Sequence, residues 1–144
     1  MQNYLDQIGD ICTNMLISYG LFAKKYQINE NELAILYTLW VEGACTQKHI
    51  AEKCQIAKQT INTLCKRWEI EEILQSVISE QDRREKTLYF TDKGRAFAQP
   101  IIEELLSREN QVINTFGIQR IKFLLDEFKA LQTALSQKLE KHSG

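Results

Sequence analysis

The chain has only one proline, Pro100, and six glycines in 144 residues. That scarcity argues against a disordered chain and against a turn-rich all-β fold, both of which draw heavily on these residues. No apolar run approaches the ~18 residues needed to span a bilayer. The opening segment, MQNYLDQIGDICTNML, lacks a basic stretch followed by an apolar one, so no secretory signal is visible and a cytoplasmic setting is expected. Cys12, Cys45, Cys54 and Cys65 are then expected as reduced thiols, and none forms a Cys-x-x-Cys pair. Histidine is limited to His49 and His142, far apart and without a clustered cysteine or carboxylate, which makes a poor zinc site. No glycine-rich phosphate loop or nucleophile elbow occurs, and Ser76, Ser79 and Ser107 have no base nearby in sequence. No metal, cofactor or catalytic set is expected, and the chain does not read as an enzyme. With 44% hydrophobic and 26% charged residues it reads as a globular, mainly helical chain able to bury a core of its own.

Charge is unevenly spread. The net value of −1 hides a basic segment from Thr46 to Arg67, where Lys48, Lys53, Lys58, Lys66 and Arg67 face one acid, Glu52. Glu30, Glu32 and Glu42 stand just before it with no base among them. A local basic patch sets phosphate contacts whatever the total charge.

Apolar residues recur at helical spacing from Tyr4 to Tyr26, predicting a first amphipathic helix. Asn29, with Glu32 three residues on, predicts the capped start of a second, which Gly43 ends. Thr46 caps a third over Gln47 to Cys54, and a turn at Gln55-Ile56 leads into a fourth from about Ala57 to Glu71. Short helix, turn and longer helix make the helix-turn-helix layout. After Ile73 the pattern becomes strand-like, over 74–79 and 87–91, around a charged tip from Glu80 to Lys86. Thr91 then caps a helix running toward Thr115, with a kink expected at Pro100 and a break at Phe116-Gly117. A last amphipathic helix follows, from about Ile118 to Lys141. The fold class is therefore mainly α with a small β-hairpin, a winged helix-turn-helix over 29–94. The helices at 1–28 and 95–144 would form a dimerisation region of the same single domain.

The fourth helix is the informative one. With Ile61, Leu64, Cys65 and Trp68 on its inner face, Gln59, Asn62, Thr63 and Lys66 share the outer one. Solvated helix faces are usually filled with Glu and Lys pairs. This one carries groups that match base edges and phosphates: Gln and Asn for adenine, Thr for a thymine methyl, Lys for guanine or phosphate. The hairpin tip holds Asp82, Arg83, Arg84 and Lys86. An arginine there suits a narrow minor groove, and Asp82 suits a bidentate brace for it. A solvated helix face and a solvated charged turn are the plainer alternatives.

NELAILYTLW, TQKHIAEKCQIAKQTINTLCKRWE and DRREKTLYFTDKG together resemble the MarR family of winged-helix regulators. The last segment is similar to the family's D-x-R wing tip followed by its Thr-x-x-Gly helix start. The resemblance implies that Gln59, Thr60, Asn62, Thr63 and Lys66 lie in the major groove, with Arg84 as the wing arginine and Asp82 its brace. Gln47, Lys58, Arg83 and Lys86 complete the expected DNA-binding set. It also implies a homodimer on a pseudo-palindromic double-stranded operator, acting as a repressor and responding to a small molecule. Tyr19, Phe22, Tyr37 and Trp40 are the candidate lining of that ligand site, or else core. The sequence departs from the family in having Glu72 where glycine is common, Gln75 and Ser76 where bases are common, and Ala57 where a serine often caps the recognition helix. Glu69, Glu71 and Glu72 add an unusual acidic run.

The terminal helices carry more apolar surface than a core of this size can cover, which independently favours a dimer. Cys12 is the candidate thiol for a redox-sensing alternative, but Ile8, Ile11, Met15 and Leu16 around it point to a buried core cysteine. Cys65 is expected in the core, with Cys45 and Cys54 partly exposed. A helical interaction module without DNA binding is the remaining alternative.

Overall fold

A computed structural model describes residues 3–82 and 84–141. The chain divides into two compact units, one up to Ile102 and one from Glu103. The first contains α1 (Tyr4–Lys25), α2 (Glu30–Glu42), β1 (Cys45–Thr46), α3 (Gln47–Cys54), α4 (Lys58–Ile70), β2 (Leu74–Ile78), β3 (Lys86–Phe90) and the opening of α5 (Asp92–Phe116). The second contains the rest of α5 and α6 (Ile118–Leu139). No helix among the described residues is long and apolar enough to cross a membrane.

Local chemistry sets most boundaries. Asn3 caps α1 by accepting from the amides of Leu5 and Asp6. Asn29 and Glu32 form a full capping box on α2, with bonds of 2.9 and 3.0 Å. Gly43, at φ +78°, ends that helix in a region where a side chain is strained. Thr46 accepts the His49 amide at 3.0 Å to start α3. Gln55 closes α3 in the left-handed region, at φ +53°. Glu42, at the end of α2, receives Lys53 at 3.0 Å and faces His49 Nε2 at 2.9 and 3.1 Å, tying α2 to α3. The Lys53 hydrogen bond, with His49 behind it, holds the Glu42 carboxyl below its usual range, and Glu42 in turn raises Lys53.

The sheet has the order β1-β3-β2 and is antiparallel throughout. Leu74 pairs with Phe90 and Ile78 with Lys86 across the wing, and Cys45 pairs with Leu88 on the other edge. β1 is an addition to the expected hairpin. The strands also differ slightly from expectation, so that Lys86 belongs to β3 rather than to the tip. The core of this unit joins Leu33, Leu36 and Leu39 of α2 to Ile50, Ile61, Trp68, Leu88, Ala98 and Ile101. α5 runs as one helix through Pro100, whose side is exposed.

One expectation is corrected here. Cys12 is exposed rather than buried. α1 contributes only Ala23 to the buried set, while Ile11, Met15 and Leu16 stay on the surface with Cys12. The apolar neighbours are real, but the core of the first unit does not reach them.

In the second unit Gly117, at φ +102°, makes the break between α5 and α6. Leu105 is buried, but among the described residues α6 buries no side chain. Phe123, Leu125 and Leu139 are 69%, 50% and 75% exposed.

Candidate nucleic-acid interface

α4 is amphipathic as its spacing requires. Ile61, Leu64, Cys65 and Trp68 are buried, which turns Gln59, Thr63 and Lys66 to solvent and leaves Thr60 and Asn62 half-buried. Thr63 donates its hydroxyl proton to the Gln59 carbonyl at 2.9 Å. Its methyl group and oxygen lone pairs remain for a partner.

A cleft of about 450 Å³ opens between the starts of α3 and α4 and the wing. Gln47 and Lys48 line it from α3, Lys58, Ile61 and Asn62 from α4, and Asp82, Arg84, Glu85 and Lys86 from the wing. Gln47 and Lys58 are the first residues of their helices. The cleft thus combines two helix N-termini, where the backbone favours anions, with four cationic side chains. Ala57, just before α4, gives that helix no side-chain cap. Lys48 was not singled out in the sequence, although it sits in the basic segment; its place one residue inside α3 brings it in.

The wing tip is built from short polar contacts. The Ser79 hydroxyl accepts from the amides of Gln81 and Asp82 at 3.3 and 3.2 Å. Asp82 Oδ1 accepts both the Arg84 amide at 3.0 Å and its Nε at 3.2 Å. The brace therefore runs through one carboxylate oxygen, not the two-oxygen fork expected from sequence. It holds Arg84 while leaving that side chain 92% exposed. Arg83 and His142 lie outside the described residues.

The structure brings Gln47, Lys58, Asn62, Asp82, Arg84 and Lys86 around one cleft, and Gln59, Thr63 and Lys66 onto the outer face of the same helix. The acidic run falls at the far end of α4. Arg67 lies 3.9 Å from Glu71, and Lys93 donates to the Glu71 carbonyl at 2.9 Å. A 13-residue helix spans about 20 Å, so these acids stand roughly that far from Lys58.

The remaining candidates scatter. Trp40 meets the Phe90 ring edge-on and carries the Arg95 guanidinium 4.9 Å above its face. Phe22 packs against Tyr26, with the Lys25 ammonium 5.4 Å from its ring. Tyr19 is exposed and Tyr37 half-buried. Burial pushes the Cys65 thiol up to about 12 and the Cys45 thiol up to about 11, so neither is a thiolate nucleophile near neutral pH. Cys54 lies 3.5 Å from the Thr38 hydroxyl.

A helix-turn-helix joined to a three-stranded wing, with cations and two helix N-termini around one cleft, defines a winged-helix DNA-binding protein. The sequence profile of the MarR family matches residues 28–86. The solved structure of a MarR family regulator from Neisseria meningitidis superposes with a TM-score of 0.87 at 33% identity, covering 96% of this chain and 98% of that one. The HTH-type transcriptional regulator MgrA of Staphylococcus aureus is 26% identical over 114 residues, 79% of this chain and 71% of MgrA. The HTH-type transcriptional regulator YwaE of Bacillus subtilis is 30% identical over 88 residues, 61% of this chain and 52% of YwaE, so that match spans about half of the relative's length. The chain belongs to the MarR family of DNA-binding transcriptional regulators, which are not enzymes.

Proposed function

We propose that the chain is a homodimeric repressor that reads a pseudo-palindromic operator, with Gln59, Thr60, Asn62, Thr63 and Lys66 in the major groove. Arg84, braced by Asp82, enters the adjacent minor groove, with Lys86 beside it at the wing, and Arg83 belongs to the same proposed DNA-binding set. Gln47 and Lys58 hold the phosphates between. The observation that carries this reading is the cleft: it gathers two helix N-termini and four cations within reach of the outer face of α4. The position of Glu69, Glu71 and Glu72 at the opposite end of α4 weighs against an interaction module that has lost DNA binding. The dimer would act in the cytoplasm, and its terminal helices, 1–28 and 95–144, would supply the interface.

Response to a small molecule is part of the proposal. NadR, of the same fold, was solved in complex with 4-hydroxyphenylacetate, and PcaV of Streptomyces coelicolor with its natural ligand. In this chain Tyr19, Phe22, Tyr37 and Trp40 are the aromatic groups proposed to serve such a ligand. A redox response has one observation behind it, the exposure of Cys12. On that reading Cys12→Ser abolishes any loss of DNA binding caused by peroxide.

The test is a salt titration of binding to duplexes from the DNA flanking the chain's own gene. Affinity should fall steeply between 50 and 200 mM salt, on the order of a thousandfold for six or more phosphate contacts. Lys66→Ala combined with Arg84→Ala should weaken binding at least about tenfold and lower the salt slope by roughly two. Unchanged binding by that double variant would sink the groove assignment.

A further inference from the structure

Arg67 follows directly on Lys66, yet its guanidinium reaches α2. Glu32, the third residue of α2, is buried, and its carboxylate has two partners. One oxygen accepts the Asn29 amide at 3.0 Å, and the other is paired with Arg67 Nη2. The same guanidinium stands 5.9 Å from the ring of buried Trp68 and has Glu71 at 3.9 Å. One arginine thus fastens the C-terminal half of α4 to the capped start of α2. At its other end, α4 begins at Ala57 without a side-chain cap.

We propose that Arg67 is a positioning residue for DNA recognition: paired with Glu32, it sets the angle at which α4 presents Gln59, Asn62, Thr63 and Lys66, and it makes no phosphate contact itself. The inference rests on the DNA-binding reading above. Buried Ile61, Leu64 and Trp68 seat the inner face of α4, and the Arg67–Glu32 pair then fixes its tilt from the C-terminal half. Over the roughly 20 Å of α4, a tilt of a few degrees moves the far end by about 1 Å. Recognition geometry tolerates only about 0.5 Å. A carboxylate removed from water needs its cation, so without Arg67 the buried Glu32 is left short of a partner and the α2–α4 joint loosens. Glu32→Gln is the complementary change. Glutamine keeps the acceptor that closes the capping box but loses the charge that holds Arg67.

The experiment uses the full chain and a duplex that the parent itself selects from a random-sequence library. Affinities for that duplex and for poly(dI-dC) are measured across salt for the parent, Arg67→Ala, Arg67→Lys, Glu32→Gln and the Arg67→Ala/Glu32→Gln double variant. Arg67→Ala and Glu32→Gln should each weaken the selected duplex roughly threefold to thirtyfold. Both should leave poly(dI-dC) affinity and the salt slope at parent values, since no phosphate contact is lost. The double variant should bind about as well as Arg67→Ala alone, because the two residues act as one unit. Arg67→Lys should recover part of the loss. Glu32→Gln carries the test should Arg67→Ala fail to fold. A salt slope lowered by about one in Arg67→Ala, with poly(dI-dC) affinity falling in step, overturns the proposal by making Arg67 a phosphate contact. Parent-like affinity in both single variants overturns it too. A parent that enriches no duplex overturns the DNA-binding reading and this inference with it, a result distinct from any variant effect.

Discussion

Gly94 shows how closely single residues are constrained at the joint between wing and helix. A Cβ built there would lie 1.8 Å from the Ile73 carbonyl oxygen and 2.8 Å from its carbon, both backbone atoms. The Thr91 side chain holds the same joint. Its hydroxyl oxygen accepts the Gly94 amide at 2.9 Å, and its proton faces the carbonyls of Glu72 and Ile73. Gly94→Ala must therefore separate the start of β2 from the start of α5, because neither backbone can rotate out of the way as a side chain can. The expected loss is on the order of 3 kcal/mol, or about 10 °C in Tm, by thermal unfolding. Gly9 is the control. It is in the interior of α1 with nothing within 4 Å of an added Cβ, so Gly9→Ala should instead stabilise by up to about 1 kcal/mol. Equal effects at the two positions would rule out close approach as the reason for Gly94. The Thr-x-x-Gly pattern is legible in sequence as a helix start. The reason for its glycine is not, because it depends on a carbonyl far back in the chain.

At the scale of elements, α4 differs from the other capped helices of its unit by starting at Ala57. Asn3, Asn29 and Thr46 each cap their helix through a side-chain oxygen. Ala57 already has the extended backbone, at φ −57° and ψ 138°, that a capping residue uses. Ala57→Ser should therefore add about 1 kcal/mol of stability without moving the backbone, read as a rise in the denaturation midpoint at constant slope. No rise would mean that the first-turn amides of α4 are already satisfied by other groups. The helices, the caps at Asn29, Thr46 and Thr91, and both long strands could be read from sequence because each is decided by residues within a turn or two of one another. β1 could not. Two residues carry no period, and Cys45 and Thr46 become a strand only because β3 offers an edge opposite Leu88 and Thr87. The Glu32–Arg67 pair was hidden for a similar reason. In sequence Glu32 reads completely as a capping-box residue and Arg67 as one more base in a basic segment, and only the fold, by bringing the Arg67 guanidinium to the Glu32 carboxylate, gives either a second role.

The whole molecule poses the question of what covers its apolar surface. The misplacement of Cys12 is instructive, since reading its neighbours as apolar was right and assigning them to the core of the same chain was wrong. Ile11, Met15, Leu16 and Leu21 on α1, and Phe123 and Leu125 on α6, are each at least half exposed. Surfaces of this kind mark an interface more often than a solvated monomer face. A two-fold dimer would cover them and would set two copies of α4 about one DNA turn, roughly 34 Å, apart. If these helices form the interface, Leu16→Glu combined with Leu125→Glu would bring two carboxylates from each chain into it. It should raise the dimer dissociation constant at least about a hundredfold, seen as monomer in sedimentation at micromolar concentration. Operator affinity should fall by a further factor of about a hundred or more, because each recognition helix must then bind its half-site alone. Val41→Glu, at a residue of α2 equally exposed, should leave the dimer and the affinity as they are. If the Leu16→Glu/Leu125→Glu variant sediments as the parent does, these helices are not the interface, and the spacing of the two recognition helices must be set elsewhere on the chain.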